Sequence, residues 1–496
     1  MPLDTKPAKI LLSPSFFYRF DPKQWRDQKP YPPYGTLIAA AQLRAVGFQV
    51  SLFDTHLRRS TGELLPVLEA DPPRYLVIYD DGFNYLTKMC LTAMRQAAFE
   101  LLKSGKSFHC QTIVCNSDAN DHHTLYLENG ADFVILGEGE STLLELIQAL
   151  EKHQPVDEIK GIAYKQSSTA VTTNRRPVLT DLDALPDPAW DLVDINAYRH
   201  LWLKNHGYFS LNIATTRGCP FKCNWCAKPI YGNRYNSRSP ERVVQEMSHL
   251  VNTYQVRHFW MADDIFGLKP HWVAEFKEAI VRSNLHIHYK IQSRADLLLK
   301  ENQLENLVRS GMETVWIGAE SGSQNILDAM DKGITLEQIA QSTQLLKSKG
   351  VKVGFFLQFG YLGETADDIQ ATLDLVSALN PDDIGVSISY PLPGTGFYEI
   401  VKHRLGPKQN WTDSDDLDMM YSGNYPAAFY KRLHRFVHKS FRLKQHGAHL
   451  AGATWKCFFT DSTLWMRLLA IIYYWPAQFI DRFILYGYSK KQFRVK

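Results

Sequence analysis

Arg217-Gly218-Cys219-Pro220-Phe221-Lys222-Cys223-Asn224-Trp225-Cys226 decides how the rest of this chain is read. Three of the seven cysteines stand there at the spacing C-x3-C-x2-C. Thiolates are soft ligands that hold iron–sulfur clusters, and four of them normally fill the four irons of a cubane. Three leave one iron open to the amino and carboxylate groups of a small cofactor. A structural zinc site wants four ligands in a closed tetrahedron. No fourth cysteine or histidine lies within ten residues of the triplet, and the next cysteine downstream is Cys457. An odd trio, in a chain whose first residues do not read as a signal peptide, argues against a disulfide framework. The expected centre is a cluster held by Cys219, Cys223 and Cys226.

Outward from the cysteines, the sequence alternates short apolar runs with helical patterns. Leu211 to Thr216 runs straight into the cysteine loop, and further apolar runs follow at 258–261, 288–292, 314–317, 353–357 and 384–388. Ser239 reads as an N-cap with Pro240 at the first helical position. Helical patterns span 304–309, 336–349 and 365–379, with Gly350 placed as a C-cap glycine. Six such βα units over 208–400 predict a partial parallel barrel whose functional residues gather at the strand C-terminal ends, where the cysteines fall.

A first alternation occupies 1–150. Strands are expected at 9–13, 49–54, 75–79, 112–116 and 131–136, with helices at 34–46 and 85–103 between them. This pattern predicts a doubly wound parallel sheet that binds ligands outside the carboxyl ends of its strands. The loops there carry Ser13, Asp80-Asp81-Gly82, Asn116-Ser117-Asp118 and Gly137-Glu138-Gly139-Glu140. Residues 151–207 read as a linker with a small hairpin at 161–172 and an irregular, proline-held crossing at 181–190. From 401 to 496 the alternation stops and a mainly helical region is expected. It includes a basic, aromatic pattern at 429–444 and an apolar stretch at 464–480 interrupted by Arg467 and Pro476. That stretch reads as too short and broken to span a bilayer. It reads first as packing against the barrel, and second as an amphipathic element at a membrane.

Length and composition bound the rest. A chain of 496 residues is too long for one core. Its net charge of +3 gives no bulk electrostatic case for nucleic acid. The few cysteines suit a reducing cytosol, so a cytoplasmic location is expected, with peripheral membrane contact through the C-terminal region as a further expectation. The 24 Tyr, 26 Phe and 11 Trp read first as core and second as the lining of a large apolar pocket.

With these residues in view, the chain resembles the cobalamin-binding class of radical S-adenosylmethionine (SAM) enzymes over nearly its whole length. This class includes the anaerobic magnesium-protoporphyrin IX monomethyl ester cyclase and radical SAM C-methyltransferases. Beyond the cysteine loop, the resemblance rests on Gly318 to Ser323 with Asp331 to Ile334, and on Gly354 with Gly360 to Thr365. In the first domain it rests on Pro32 to Gly35 and Gly137 to Glu140.

The resemblance implies a [4Fe–4S] cluster on the three cysteines, SAM on its open iron, and a flavodoxin- or ferredoxin-type electron donor. It implies Trp225 against the adenine, and Asp263 and Asp264 near the methionine amino group, although two carboxylates at a strand end equally suit a helix-capping turn. Arg294, Glu320 and Ser321 would lie toward the SAM carboxylate and ribose, with an Arg294–Glu320 ion pair as the competing account. Gly360 would lie along the adenine. Ser13, Asn116, Ser117, Gly137, Glu138 and Gly139 would lie around cobalamin. The segment Cys115 to Asp118 departs from the class, which has glycines there. Asp54-Thr-His56 lacks the glycine of a D-x-H-x-x-G cobalt-ligand loop, having Arg59 instead, so His56 reads as a surface or capping histidine.

The implied activity is modification of an unactivated carbon of a small-molecule substrate, expected to be large and hydrophobic, most simply by C-methylation. Oxidative cyclisation or rearrangement is the alternative within the class, and a non-catalytic corrinoid or iron–sulfur carrier the alternative outside it. No residue is assigned as catalytic acid or base.

Overall fold

The computed structural model of the protein describes residues 7–226, 231–451 and 462–492. Its first sheet has the order β2-β1-β3-β4-β5-β6-β7. These strands are β1 (Lys9–Ser13), β2 (Gln49–Leu52), β3 (Tyr75–Tyr79), β4 (Gln111–Cys115), β5 (Phe133–Ile135), β6 (Ile162–Gln166) and β7 (Thr169–Thr172). The first five run parallel. Strict alternation along them supplies two separate cores, because successive side chains point to opposite faces. Leu11, Leu76 and Ile78 pack on the helix Thr92–Ser107, whereas Ile10, Leu12, Val77 and Tyr79 pack on the helices Tyr34–Ala45 and Glu140–Glu151.

Three details correct the sequence expectation. The hairpin pairs antiparallel with β5, so it extends the first sheet and makes it mixed. The helix expected at 85–103 is broken, Tyr85–Lys88 then Thr92–Ser107, at Cys90, whose φ of 54° is left-handed. The linker also holds a helix, Ile195–His206, capped by the Asp194 side chain and by Gly207 at φ 75°.

The second sheet is all parallel, in the order β15-β14-β13-β12-β11-β8. It contains β8 (Ser210–Ile213), β11 (His258–Met261), β12 (His288–Ser293), β13 (Met312–Glu320), β14 (Lys352–Phe359) and β15 (Asp383–Ile388). A short antiparallel ribbon, β9 (Thr216–Arg217) with β10 (Asn236–Ser237), brackets the cysteine loop. Outward residues such as Leu211, Phe259, Ile291, Val315 and Phe355 join the helices in one large core. The alternate residues include the half-buried Trp260, Trp316 and Phe356. Trp316 stacks on Phe356 with ring centroids 4.8 Å apart. This stack requires glycine at 354, where a Cβ would stand 2.6 Å from the Trp316 ring.

The two domains meet through buried polar contacts. Glu246 accepts from the Tyr34 hydroxyl at 3.0 Å and from Arg238 at 2.5 Å. Asn212 of β8 donates to the Pro32 carbonyl at 3.0 Å, so Pro32 to Gly35 is wedged against the barrel. Among the described residues, an inner C-terminal helix (Ala427–Ala451) packs on β15 and an outer C-terminal helix (Ser462–Gln492) packs along the inner one. The outer helix runs through Pro476 and beyond the stretch expected from sequence.

Candidate active site at the cysteine loop

The cysteine loop leaves the C-terminal end of β8 and is fixed at both ends. At its start, Arg217 is buried between two carboxylates of the first domain. It pairs with Glu138 and with Glu140 at 2.7 Å, beneath the Tyr231 ring at 4.9 Å. Burial disfavours the Arg217 charge, but Glu140, Tyr231 and Glu138 hold its pKa well above the usual value. Next, Gly218 has φ 82°, and a Cβ there would lie 2.2 Å from the Arg234 carbonyl, so only glycine lets the loop turn against that segment.

Inside the loop, Asn224 is the clamp. Its side chain donates to the Ala329 carbonyl at 2.8 Å and to Asp331 at 2.9 Å, and accepts from the Tyr361 hydroxyl at 3.0 Å. Its backbone N–H reaches the Met330 carbonyl at 3.1 Å, and its carbonyl accepts from Phe397 N–H at 2.7 Å. The loop is therefore held to the segments after β13 and β14 at once. Neither Arg217 nor Asn224 was singled out from sequence. Their partners lie 77–79 and 105–137 residues away, beyond any local pattern.

The donor set fits an iron–sulfur cluster. Cys219, Cys223 and Cys226 are all free thiols, with Cys226 the most open. Burial pushes the Cys219 thiol up, and Asp264 and Cys223 add to it, a penalty that bound iron relieves.

Comparison with known proteins bears on the same residues. The Radical SAM superfamily model matches residues 213–376. An uncharacterized methyltransferase of Pyrococcus horikoshii is 30% identical over 317 residues, covering 63% of this chain and 68% of its own. The chain belongs to the radical SAM superfamily. The anaerobic magnesium-protoporphyrin IX monomethyl ester cyclase of Synechocystis sp. is 27% identical over 381 residues, covering 75% of this chain and 73% of its own. Among solved structures, the radical SAM methyltransferase TsrM of Kitasatospora setae superposes with a TM-score of 0.66 at 18% identity. That match covers 81% of this chain and 76% of TsrM, and shows a shared fold. As a radical SAM enzyme, the protein uses a [4Fe–4S] cluster and SAM.

Around this radical SAM loop the expected SAM residues divide into two groups. Trp225, Glu320 and Arg294 come together around Lys332, a residue not singled out from sequence. The Trp225 ring lies 5.8 Å from the Lys332 ammonium, which donates to Glu320 at 2.9 Å. Burial works against the Lys332 charge, but Glu320 and Cys223 hold its pKa raised. The Trp225 ring packs against the apolar cluster of Met330, Tyr361 and Phe397, and its indole N–H is buried without an acceptor among the described residues, an orphan donor that a ligand could satisfy. Arg294 lies flat over Phe221 of the loop at 3.7 Å. It donates to Asp296 at 2.9 Å and to the Lys332 and Gly333 carbonyls, so the expected alternative of an Arg294–Glu320 pair is not formed.

The others are engaged by the protein. Asp263 accepts from Thr215 N–H at 2.7 Å and Thr216 N–H at 2.6 Å, bracing the strand before the cysteines, and burial raises its pKa to about 6. In this structure its carboxylate serves as a strut for that strand. Asp264 pairs with Lys88 of the first domain. Ser321 is fully buried with its hydroxyl against Thr372 at 3.2 Å. Gly360 receives Tyr421 on its carbonyl, and a Cβ there would meet Met419 at 2.7 Å, so its open face is turned to the C-terminal region.

The crevice of the first sheet is cross-tied. Asp80 accepts from the Ser15 N–H at 2.5 Å and hydroxyl at 2.7 Å, and from the Asn116 amide at 3.0 Å. Ser13 donates to the Pro14 carbonyl, and Asn116 also caps the helix after β4. Glu138 is held by Arg217 and by Leu179 N–H at 2.5 Å, and Gly139 packs on Cys115 and Tyr79. Ser117 remains half-buried, and Gly137, at φ 92°, has nothing within 4 Å of where a Cβ would stand. His56 is buried, not superficial: its Nδ1 lies 2.7 Å from the Tyr31 carbonyl and its Nε2 has no partner among the described residues.

Proposed function

We propose that the protein is a cobalamin-dependent radical SAM enzyme that methylates an unactivated carbon of a large, hydrophobic small molecule. The observation that carries the reading is the cysteine loop at a barrel strand end, clamped by Asn224 to the segments after β13 and β14 and by Arg217 to the first domain. Cys219, Cys223 and Cys226 would hold the cluster. Trp225, Glu320, Lys332 and Arg294 would frame SAM, with the orphan indole N–H of Trp225 as a donor to it. When bound, the cluster and SAM supply a hydrogen-abstracting radical, and cobalamin supplies a methyl carrier. An electron donor of the flavodoxin or ferredoxin type completes the scheme.

The chain's own groups do the rest. Arg294 holds Phe221 flat and so fixes the first turn of the cysteine loop. Lys332 sets a positive charge between Trp225 and Glu320 in a buried setting where it is little screened. The stacked Trp316 and Phe356 offer an aromatic surface that suits an apolar substrate. Ser117 and Gly137 are the strand-end positions left to a corrinoid. That assignment draws support from the likeness to TsrM, whose structure holds cobalamin and a [4Fe–4S] cluster.

Anoxic incubation with methyl-labelled SAM tests the reading. Label in the product together with 5′-deoxyadenosine supports methylation. The similarity to the magnesium-protoporphyrin cyclase favours oxidative ring closure as the second reading, in which 5′-deoxyadenosine forms and the product carries no label. No 5′-deoxyadenosine under any condition refutes both.

A further inference from the structure

The outer C-terminal helix is inside out. Its one acidic residue, Asp481, is buried against the inner helix, accepting from Arg432 at 2.7 Å and Lys439 at 2.8 Å. Met466, Leu469, Ile472, Trp475, Phe479 and Phe483 point away from the protein and are 61–73% exposed. Steps of three and four residues set these six on one stripe, roughly 26 Å long at 1.5 Å per residue. An ordinary surface helix does the reverse, and contiguous apolar patches of this kind mark a binding surface. The Arg432–Asp481–Lys439 triad, in which Asp481 is buried and the two bases are partly exposed, fixes the orientation, since rotating the helix to hide the stripe would strip Asp481 of both partners.

Charge selects the occupant. The inner helix carries six Lys or Arg residues and the outer helix four, against Asp481 as the single acid. A second copy docking through this stripe would bring two strongly cationic helix pairs together. An anionic lipid surface would instead receive the apolar stripe and attract the net positive charge that remains after Arg432 and Lys439 pair with Asp481, Lys431 with Asp418 and Arg442 with Asp383. By length and composition alone the stretch Leu464–Tyr488 could cross a membrane. Its partner helix, lined with Lys431, Arg432, Arg435, Lys439 and Arg442, runs along it and could not follow into hydrocarbon. We propose that the protein docks on the surface of an anionic phospholipid bilayer, with the outer C-terminal helix lying in the plane of the interface. Tyr488 at its far end packs 6.0 Å from Phe429, close in the chain to Tyr430, which touches Gly360.

Vesicle co-sedimentation of the full chain tests this. Phosphatidylcholine vesicles containing about 30% phosphatidylglycerol are compared with pure phosphatidylcholine, at about 0.1 M and 0.5 M salt. The chain is expected to sediment with the anionic vesicles, and its partition coefficient to fall about tenfold in Phe479→Ser/Phe483→Ser and severalfold at the higher salt. These side chains contact solvent, so circular dichroism should be unchanged. Met466→Ser/Leu469→Ser, on the same stripe, gives a second comparison if the first pair folds poorly. Failure of the parent chain to bind anionic vesicles, or equal binding by both variants, overturns the proposal. So does a lipid-free dimer of the parent chain that either variant makes monomeric, which would assign the stripe to a second copy.

Discussion

Replacing Asn224 with alanine removes three side-chain hydrogen bonds from the cysteine loop while leaving every cysteine in place. A net intramolecular hydrogen bond contributes about 1 kcal/mol, and this side chain is only half-buried, so the local loss is about 1.5–2 kcal/mol. The two backbone bonds of residue 224 persist, and the Tyr361 hydroxyl keeps its 2.7 Å bond to the Ala329 carbonyl. The loop should therefore open more often without the fold being lost. At about 1.4 kcal/mol per factor of ten, loop opening rises ten- to thirtyfold, and cluster loss to a chelator should accelerate by the same factor. The assay is anoxic transfer of iron to an excess of ferrous chelator, followed by the decay of cluster absorbance, with circular dichroism as the control for folding. Tyr361→Phe, which removes one of the three bonds, should give a smaller acceleration. Iron loss from Asn224→Ala within a factor of two of the parent rate would refute the clamp.

Further outcomes follow from the same geometry. Arg217→Met leaves Glu138 and Glu140 buried together without a counter-charge, and should destabilise the chain by about 3–5 kcal/mol, read as a lowered thermal midpoint. Adding Glu138→Gln and Glu140→Gln should recover most of that loss, whereas a simple cavity would not be rescued. Glu364 is buried, with its pKa raised to about 8 from the usual 4.5 by burial, despite the 2.7 Å bond from Gly360 N–H. A folded pKa above the unfolded one means that the native state holds the extra proton, so stability falls as pH rises between these values. Relative to Glu364→Gln, the parent should lose about 2 kcal/mol between pH 6 and pH 8, and parallel stability–pH curves would contradict this. Gly354→Ala should displace the Trp316 ring and lower stability by about 1–3 kcal/mol, visible as a blue- or red-shifted tryptophan emission that Gly350→Ala does not reproduce.

Much of the fold was legible because each βα unit is a local event. Lys9–Ser13 and Tyr75–Tyr79 match their expected strands residue for residue, and Ser239-Pro240 opens its helix as N-cap and first residue. The cysteine triplet announced the chemistry on its own. Long-range couplings were hidden. Glu138 looked like part of a ligand-binding turn, but its carboxylate serves Arg217, 79 residues away. Asp263 looked like a ligand group, but it braces Thr215 and Thr216. Pro476 suggested an interruption, yet the helix continues through it. The direction of the apolar stripe on that helix depended on the inner-helix partners of the buried Asp481, which hydrophobic periodicity cannot reveal.

The central claim is that Cys219, Cys223 and Cys226 hold a cubane with one iron open to SAM. Electron paramagnetic resonance of the anoxically reconstituted, reduced chain tests it most directly. A cluster signal that shifts when SAM is added, and that is missing from Cys223→Ala, is the predicted result. A signal unchanged by SAM, or one that survives in Cys223→Ala, would contradict it.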